Sequence, residues 1–195
     1  EYRGYDSWGL AWKDGGKIGV EKQIGKISGI DANAMKPSAL AIGHTRWATH
    51  GGVTQKNAHP HLNEDGTIAV VHNGIIENYQ ELKAELRKKG HVFLSETDTE
   101  VIPHMIEEEM KATKDFASAV RKACLRFDGR YAILAMHTES DTLVAVRTGS
   151  PLIVGVMKKN RGPVLPALPK PRGEGGSEAE GYFIIGMAIT NDAVP

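Results

Sequence analysis

Two stretches concentrate groups suited to chemistry. His44-Thr45-Arg46-Trp47-Ala48-Thr49-His50-Gly51 and His72-Asn73-Gly74-Ile75-Ile76-Glu77-Asn78 place a guanidinium, hydroxyls, several imidazoles and an Asn-Gly pair at the ends of two apolar runs. Strand ends are where a rigid scaffold presents loop chemistry. A planar guanidinium at Arg46 forks onto a carboxylate, with Thr49 and His50 beside it. An Asn side-chain amide next to a Gly N–H can converge on one oxygen, as an oxyanion site requires. These groups suit an amino-acid substrate and an acyl-type reaction. No cysteine or serine nucleophile is evident among them.

Each candidate has a plainer reading. Arg46 alone would serve as well in an ion pair with a loop carboxylate; its neighbours favour the ligand role. Asn73-Gly74 is also a hairpin-turn signal. The residues after it read as helical, so a strand-to-helix junction is expected there instead. Asp98 is either a first-turn carboxylate favoured by the helix dipole or the acceptor of a substrate ammonium. Trp47 packs on the core edge or gates a small substrate. His59 and His61, around Pro60, have weak metal-ligand spacing, and His44, His50 and His72 complete no standard zinc pattern. No metal and no cofactor are expected. Cys124, the only cysteine, lies on the apolar side of a helix and reads as a small hydrophobe, not a nucleophile.

The elements that must hold these residues follow from periodicity. Trp8–Trp12 and Ile18–Ile24 read as strands joined by Asp14-Gly15-Gly16, a tight-turn signal. A short helix is expected over residues 28–35. Leu40–Gly43 and Thr67–His72 are buried strands delivering the two motifs. Ile75, Ile76, Tyr79, Leu82 and Leu86 share a helical face closed by Gly90. Val92–Leu94 is a short strand. Thr97-Asp98-Thr99-Glu100 matches a capping box before a helix carrying Val101, Ile102, Met105, Ile106 and Met110, with the N-cap placed at Thr99. A helix over 115–127 and strands at Arg130–His137, Leu143–Arg147, Leu152–Val156 and Tyr182–Ile189 complete the chain. Strands, then consecutive helices, then strands predict an α+β layered fold with antiparallel sheets.

Of the 195 residues 41% are hydrophobic, and 24 Lys and Arg balance 24 Asp and Glu. Zero net charge provides no field for nucleic acid or an anionic membrane, and no membrane partner is expected. One cysteine rules out a disulfide within the chain. A cytoplasmic protein is the expectation. Residues 157–181 are rich in proline and glycine and read as a loop or linker. Residues 1–156 then form the domain core, and 182–195 add a further strand.

The blocks Glu1–Ser7, His44–Gly51, Asn57–His61, His72–Asn78 and Ser95–Glu100, with a weaker match over Gly129–Val156, resemble a known family. It is that of the class II glutamine amidotransferase domains of the Ntn-hydrolase fold, in the form found at the N-terminus of glutamine–fructose-6-phosphate aminotransferases. Amidophosphoribosyltransferase and asparagine synthetase domains share that fold but differ at these loops. The resemblance implies a four-layer αββα sandwich that hydrolyses L-glutamine, its ammonia serving to convert fructose 6-phosphate to glucosamine 6-phosphate. It implies that Arg46 grips the α-carboxylate, with Trp47, Thr49 and His50 in the same loop. Asp98 takes the α-ammonium, Asn73 and Gly74 form the oxyanion hole, and Arg3 lies close to the nucleophile. It further implies sugar isomerase domains as partners and a homodimer.

In this family the nucleophile is an N-terminal cysteine, and the sequence opens at Glu1 inside the matching motif. Preceding residues carrying that cysteine, on a further strand, are expected. Without them the chain from Glu1 onward is expected to be inactive. A cysteine-less glutamine-binding or regulatory module is the alternative.

Overall fold

The computed structural model describes residues 6–27, 38, 40–48, 50–155 and 184–186. β1 (Ser7–Asp14) and β2 (Lys17–Ile24) form an antiparallel hairpin. Its two turn residues, Gly15 and Gly16, have φ of 53° and 92°. Positive φ at both central positions matches the twist of the flanking strands and is open to glycine. β3 (Ala41–Arg46) pairs with the other edge of β1, Ser7 opposite Arg46, giving a sheet ordered β2-β1-β3.

A second antiparallel sheet runs β4-β5-β6-β7, from His61–Leu62, Ile68–Ile76, Gly129–His137 and Val144–Thr148. Its two central strands are apolar on both faces. Ile68, Val70, Tyr131, Ile133 and Ala135 face the helices; Ala69, Val71, Ala132, Leu134 and Met136 face Ala11, Leu40 and Ile42 of the first sheet. Strands sandwiched between two layers read as continuous hydrophobic runs, which is how these residues stand in the sequence. Each fully buried Ile here contributes about 1.5–3 kcal/mol of burial free energy.

The helices are α1 (Tyr79–Lys88), α2 (Val101–Ala112) and α3 (Phe116–Cys124). Leu82 and Leu86, then Val101, Ile102, Met105 and Ile106, then Phe116, Ala119 and Val120 close the core over the second sheet. Asp115 caps α3 by accepting the Ser118 N–H at 2.9 Å. Gly90, at φ 99°, ends α1 as expected. The order from outside in is helices, sheet, sheet, which is an α+β sandwich. Among the described residues helices cover one outer face. None is long and apolar enough to cross a membrane.

Four local expectations are corrected. First, β5 does not end before Asn73-Gly74; it continues to Ile76, and α1 begins only at Tyr79. Ile76 is buried and Ile75 exposed, the alternation of a strand. Second, Val92–Leu94 forms no strand, and both Val92 and Leu94 are exposed. Third, the capping box does not form. The N-cap of α2 is Glu100, without a side-chain cap. Its carboxylate instead accepts from the Leu94 N–H and the Ser95 N–H, both at 2.7 Å, and from the Ser95 hydroxyl. Fourth, the last helix stops at Cys124. β8 (Ile153–Gly155) and β9 (Ile184–Gly186) pair in parallel. The helix expected at 28–35 and the connector at 157–181 lie outside the described residues.

Candidate functional site

β3 and β5 deliver the two motifs to one edge of the sandwich. Arg46 is the last residue of β3 and is 4% exposed. Its guanidinium folds back over the following loop, donating to the carbonyls of His50, Gly51 and Gly52. Burial draws its pKa below the ordinary value, opposed by the nearby carboxylates of Asp6 and Asp98. Asp6 fixes the same turn by accepting the Ala48 N–H at 2.7 Å. Trp47, between them, is half exposed. His50 sets its ring edge-on to Tyr79.

A second clamp holds the loop from the other side. Glu96 accepts from Gly52 N–H and Asn57 Nδ2, while Asn57 donates to the Gly52 carbonyl at 2.9 Å. The Glu96 N–H returns to Asn57 Oδ1. Arg46 therefore rigidifies the loop from within, and the Asn57–Glu96 pair ties it to the segment that carries Asp98.

The edge of β5 holds the other donors. β4 pairs with β5 only as far as Val70, so the β5 edge beyond it is unpaired by strand. The His72 N–H on that edge donates to His59 Nδ1 at 3.2 Å, and the Ile76 N–H to Asp98 Oδ2 at 2.9 Å. Strand alternation puts the Gly74 N–H on the same edge, midway between them. Asn73 accepts from His44 Nε2 at 2.8 Å through Oδ1. Oδ1 has no proton to give, so His44 carries its hydrogen on Nε2. That bond turns the Asn73 amide nitrogen, a double donor, away from His44.

Behind Asn73 four imidazoles pack together. His44 stacks on His59 at 4.2 Å between centroids, with His61 edge-on at 5.0 Å and His72 at 6.4 Å. Thr99 meets His72 Nδ1 at 2.9 Å, and Thr97 meets His61 Nε2 at 3.1 Å. Burial pushes His44 down to about 4 and holds His59 and His61 well below the ordinary value. Burial lowers His72 too, against the pull of Asp98. The cluster is neutral near pH 7.

Gly74 can be nothing else. It sits at φ 118°, and a Cβ there would lie 2.1 Å from the Arg130 carbonyl oxygen. Gly74→Ala is expected to destabilise the fold by about 2–4 kcal/mol, from backbone strain and overpacking together. Urea unfolding of the variant checks this; an unchanged midpoint would count against the geometry.

The sequence-derived candidates Arg46, Trp47, His50, Asn73, Gly74 and Asp98 thus come from β3, its following loop, β5 and the entry to α2. Electrostatic coupling places Arg46 near Asp98. Arg3 and Thr49 lie outside the described residues. Cys124 is not with them. It packs against the helical side of the core, and burial raises its thiol to about 11. The positioning parts, His44 behind Asn73 and the Asn57–Glu96 pair, were not assigned roles from sequence. Their one signal is the density of His, Asn and Glu within the matching blocks, against an otherwise ordinary composition.

The family described as glutamine amidotransferase domain matches residues 44–162. The glutamine–fructose-6-phosphate aminotransferase of Streptomyces coelicolor is 49% identical over 161 residues, 80% of this chain and 26% of that protein. The same-named protein of Pyrococcus horikoshii is 51% identical over 162 residues, 81% of this chain and 27% of its own length. The chain thus spans about a quarter of the curated relatives it matches. Among solved structures, the B. subtilis glutamine phosphoribosylpyrophosphate amidotransferase, solved with ADP and GMP, superposes with a TM-score of 0.61 at 27% identity. It covers 75% of this chain and 32% of that one. With the layered sheets and the loop motifs in agreement, the chain belongs to the glutamine amidotransferase domain family and has its Ntn-hydrolase-type α+β sandwich.

Proposed function

We propose that this domain hydrolyses L-glutamine to glutamate and ammonia, and that the ammonia converts fructose 6-phosphate to glucosamine 6-phosphate. The sugar isomerase domains, a homodimeric assembly and a cytoplasmic setting belong to the same reading. The observation that carries it is the β5 edge: the Asn73 amide is oriented by His44, the Gly74 N–H follows it, and Asp98, bonded to the Ile76 N–H two residues on, acts electrostatically on the buried cation of Arg46. That edge supplies one cation for an α-carboxylate, one carboxylate for an α-ammonium, and two neutral donors for a developing oxyanion.

In this reading a thiolate attacks the side-chain amide carbon of glutamine. Asn73 Nδ2 and Gly74 N–H take the negative oxygen, ammonia leaves, and water releases glutamate from the thioester. The nucleophile is the N-terminal cysteine implied by the family, with its own amine as base. Cys124 cannot fill the role, being a protonated thiol in the helical layer. Trp47, Thr49 and His50 belong to the binding loop in this reading, and Arg3 to the surroundings of the nucleophile.

The test is glutamine turnover by the full-length enzyme and by its Arg46→Lys variant. Lysine keeps the charge but loses the fork that both spans three loop carbonyls and would grip the glutamine α-carboxylate. Bonds to a charged donor are worth about 1.5–3 kcal/mol, so KM for glutamine is expected to rise about 10- to 100-fold. Ammonia release that is absent from the wild type would sink the reading. An unchanged KM in the variant would remove Arg46 from the site.

A further inference from the structure

Away from the β5 edge, the loop after α1 and the first turns of α2 bring three ligand-type side chains together. We propose that His91, His104 and Glu107 bind a divalent first-row transition ion of the zinc class. The two Nδ1 atoms lie 3.2 Å apart. Glu107 Oε2 is 3.6 Å from the first and 3.7 Å from the second. Metal–ligand bonds of about 2.0–2.2 Å give tetrahedral edges of about 3.3–3.6 Å between donor atoms. The observed triangle matches that face to within a few tenths of an ångström. Two imidazoles and one carboxylate are a donor set that suits zinc and its neighbours and does not suit magnesium or calcium.

The local sequence builds this face. His104 and Glu107 are three residues apart on α2 and so share one side of the helix. His91 arrives from the loop that begins at Gly90. Its far nitrogen, Nε2, donates to Glu108 Oε1 at 2.9 Å, which turns Nδ1 inward. Glu108 is itself held by Lys89 at 3.3 Å and by Lys111. A carboxylate behind a ligating histidine is the arrangement that fixes tautomer and ring orientation in metal sites. The ring of Phe93 backs His104 at 4.7 Å between centroids.

The plainer account is a hydrogen-bonded histidine pair beside an ion-pair network. In it Glu107 Oε2 is buried and lies 3.6 and 3.7 Å from the two Nδ1 atoms, longer than a hydrogen bond. A buried carboxylate oxygen calls for a donor or a cation. An ion at the centre of the triangle satisfies that oxygen and both Nδ1 atoms at once. A cavity of about 420 Å³, lined in part by Asn63, Lys22 and Val92, adjoins His104. Water would be the fourth ligand of a tetrahedral ion. The bound ion would staple the 91–100 segment, which carries Asp98 and Glu100, to α2.

The experiment is titration of the chelator-treated full-length protein with Co²⁺, read by its visible absorption, followed by displacement with Zn²⁺. One equivalent is expected to bind with a tetrahedral spectrum and to raise the melting temperature. Glu107→Gln and His91→Gln, near-isosteric changes, should each abolish the spectrum while far-ultraviolet circular dichroism stays native. Glu108→Gln should weaken binding about 10- to 100-fold without removing it. Absence of stoichiometric binding would overturn the proposal. So would binding that survives both Glu107→Gln and His91→Gln, or that is lost in His59→Gln instead, which would move the ion to the other imidazole cluster. These readouts do not depend on glutamine turnover.

Discussion

Replacing Asn73 with alanine is expected to lower kcat for glutamine hydrolysis by about 10²–10³ while leaving KM near the wild-type value. The amide of Asn73 has one task on each side. Its oxygen is taken by His44, so its nitrogen is the part available to a reacting oxygen. A neutral donor aimed at a carbonyl gains most when that oxygen becomes an anion, so its loss is felt in the transition state more than in binding. The Gly74 N–H remains in the variant, which is why residual turnover is expected. Asn73→Asp should be as damaging, since a carboxylate repels the charge the amide attracts. His44→Ala should fall between wild type and Asn73→Ala, because it frees the amide to rotate without removing it. Steady-state kinetics separate these outcomes. A raised KM with unchanged kcat in Asn73→Ala would take the residue out of the oxyanion role.

Part of this site was legible in the sequence because Arg46 closes the β3 run and Asn73-Gly74 follows the apolar residues of β5. Val70-Val71 and Ile133-Leu134 are apolar on consecutive positions, and short runs of that kind, rich in β-branched residues, suit strands buried on both faces. The junction after Asn73 reads as helical in the sequence for a physical reason. Ile75, Ile76, Tyr79, Leu82 and Leu86 satisfy helical spacing, yet Ile76 is also the next inward residue of β5. Only the pairing of Ile76 with Gly129 on β6 decides it. The capping-box pattern failed similarly. Glu100 found stronger use for its carboxylate in the N–H groups of Leu94 and Ser95 than in its own helix end. The imidazole cluster was hidden because its members come from β3, the 59–61 segment and β5. Their meeting is tertiary, and no local spacing encodes it.

Lowering the pH from 7 towards 4 is expected to destabilise the fold by several kcal/mol, well before its carboxylates titrate fully. His44, His59, His61 and His72 all have pKa values lowered in the folded state, chiefly by burial. The unfolded chain has no such burial and takes up protons near the ordinary histidine value of 6.5. Between that value and the folded pKa the unfolded state binds more protons, so acid favours it. The stability these groups contribute is therefore fully present above pH 6.5 and is lost as pH falls through the folded values. For His44, the drop from 6.5 to about 4 corresponds to about 3 kcal/mol at 1.36 kcal/mol per unit. Protonating any one of the four also places a cation against the others and against Arg46, so they fail together. Urea unfolding at pH 7, 6 and 5 measures the slope, which should approach the uptake of several protons per molecule. His61→Gln, which keeps a polar group of similar reach, should flatten it by about one proton. Equal stability at pH 7 and pH 5 would show that the imidazoles are not held neutral by the fold.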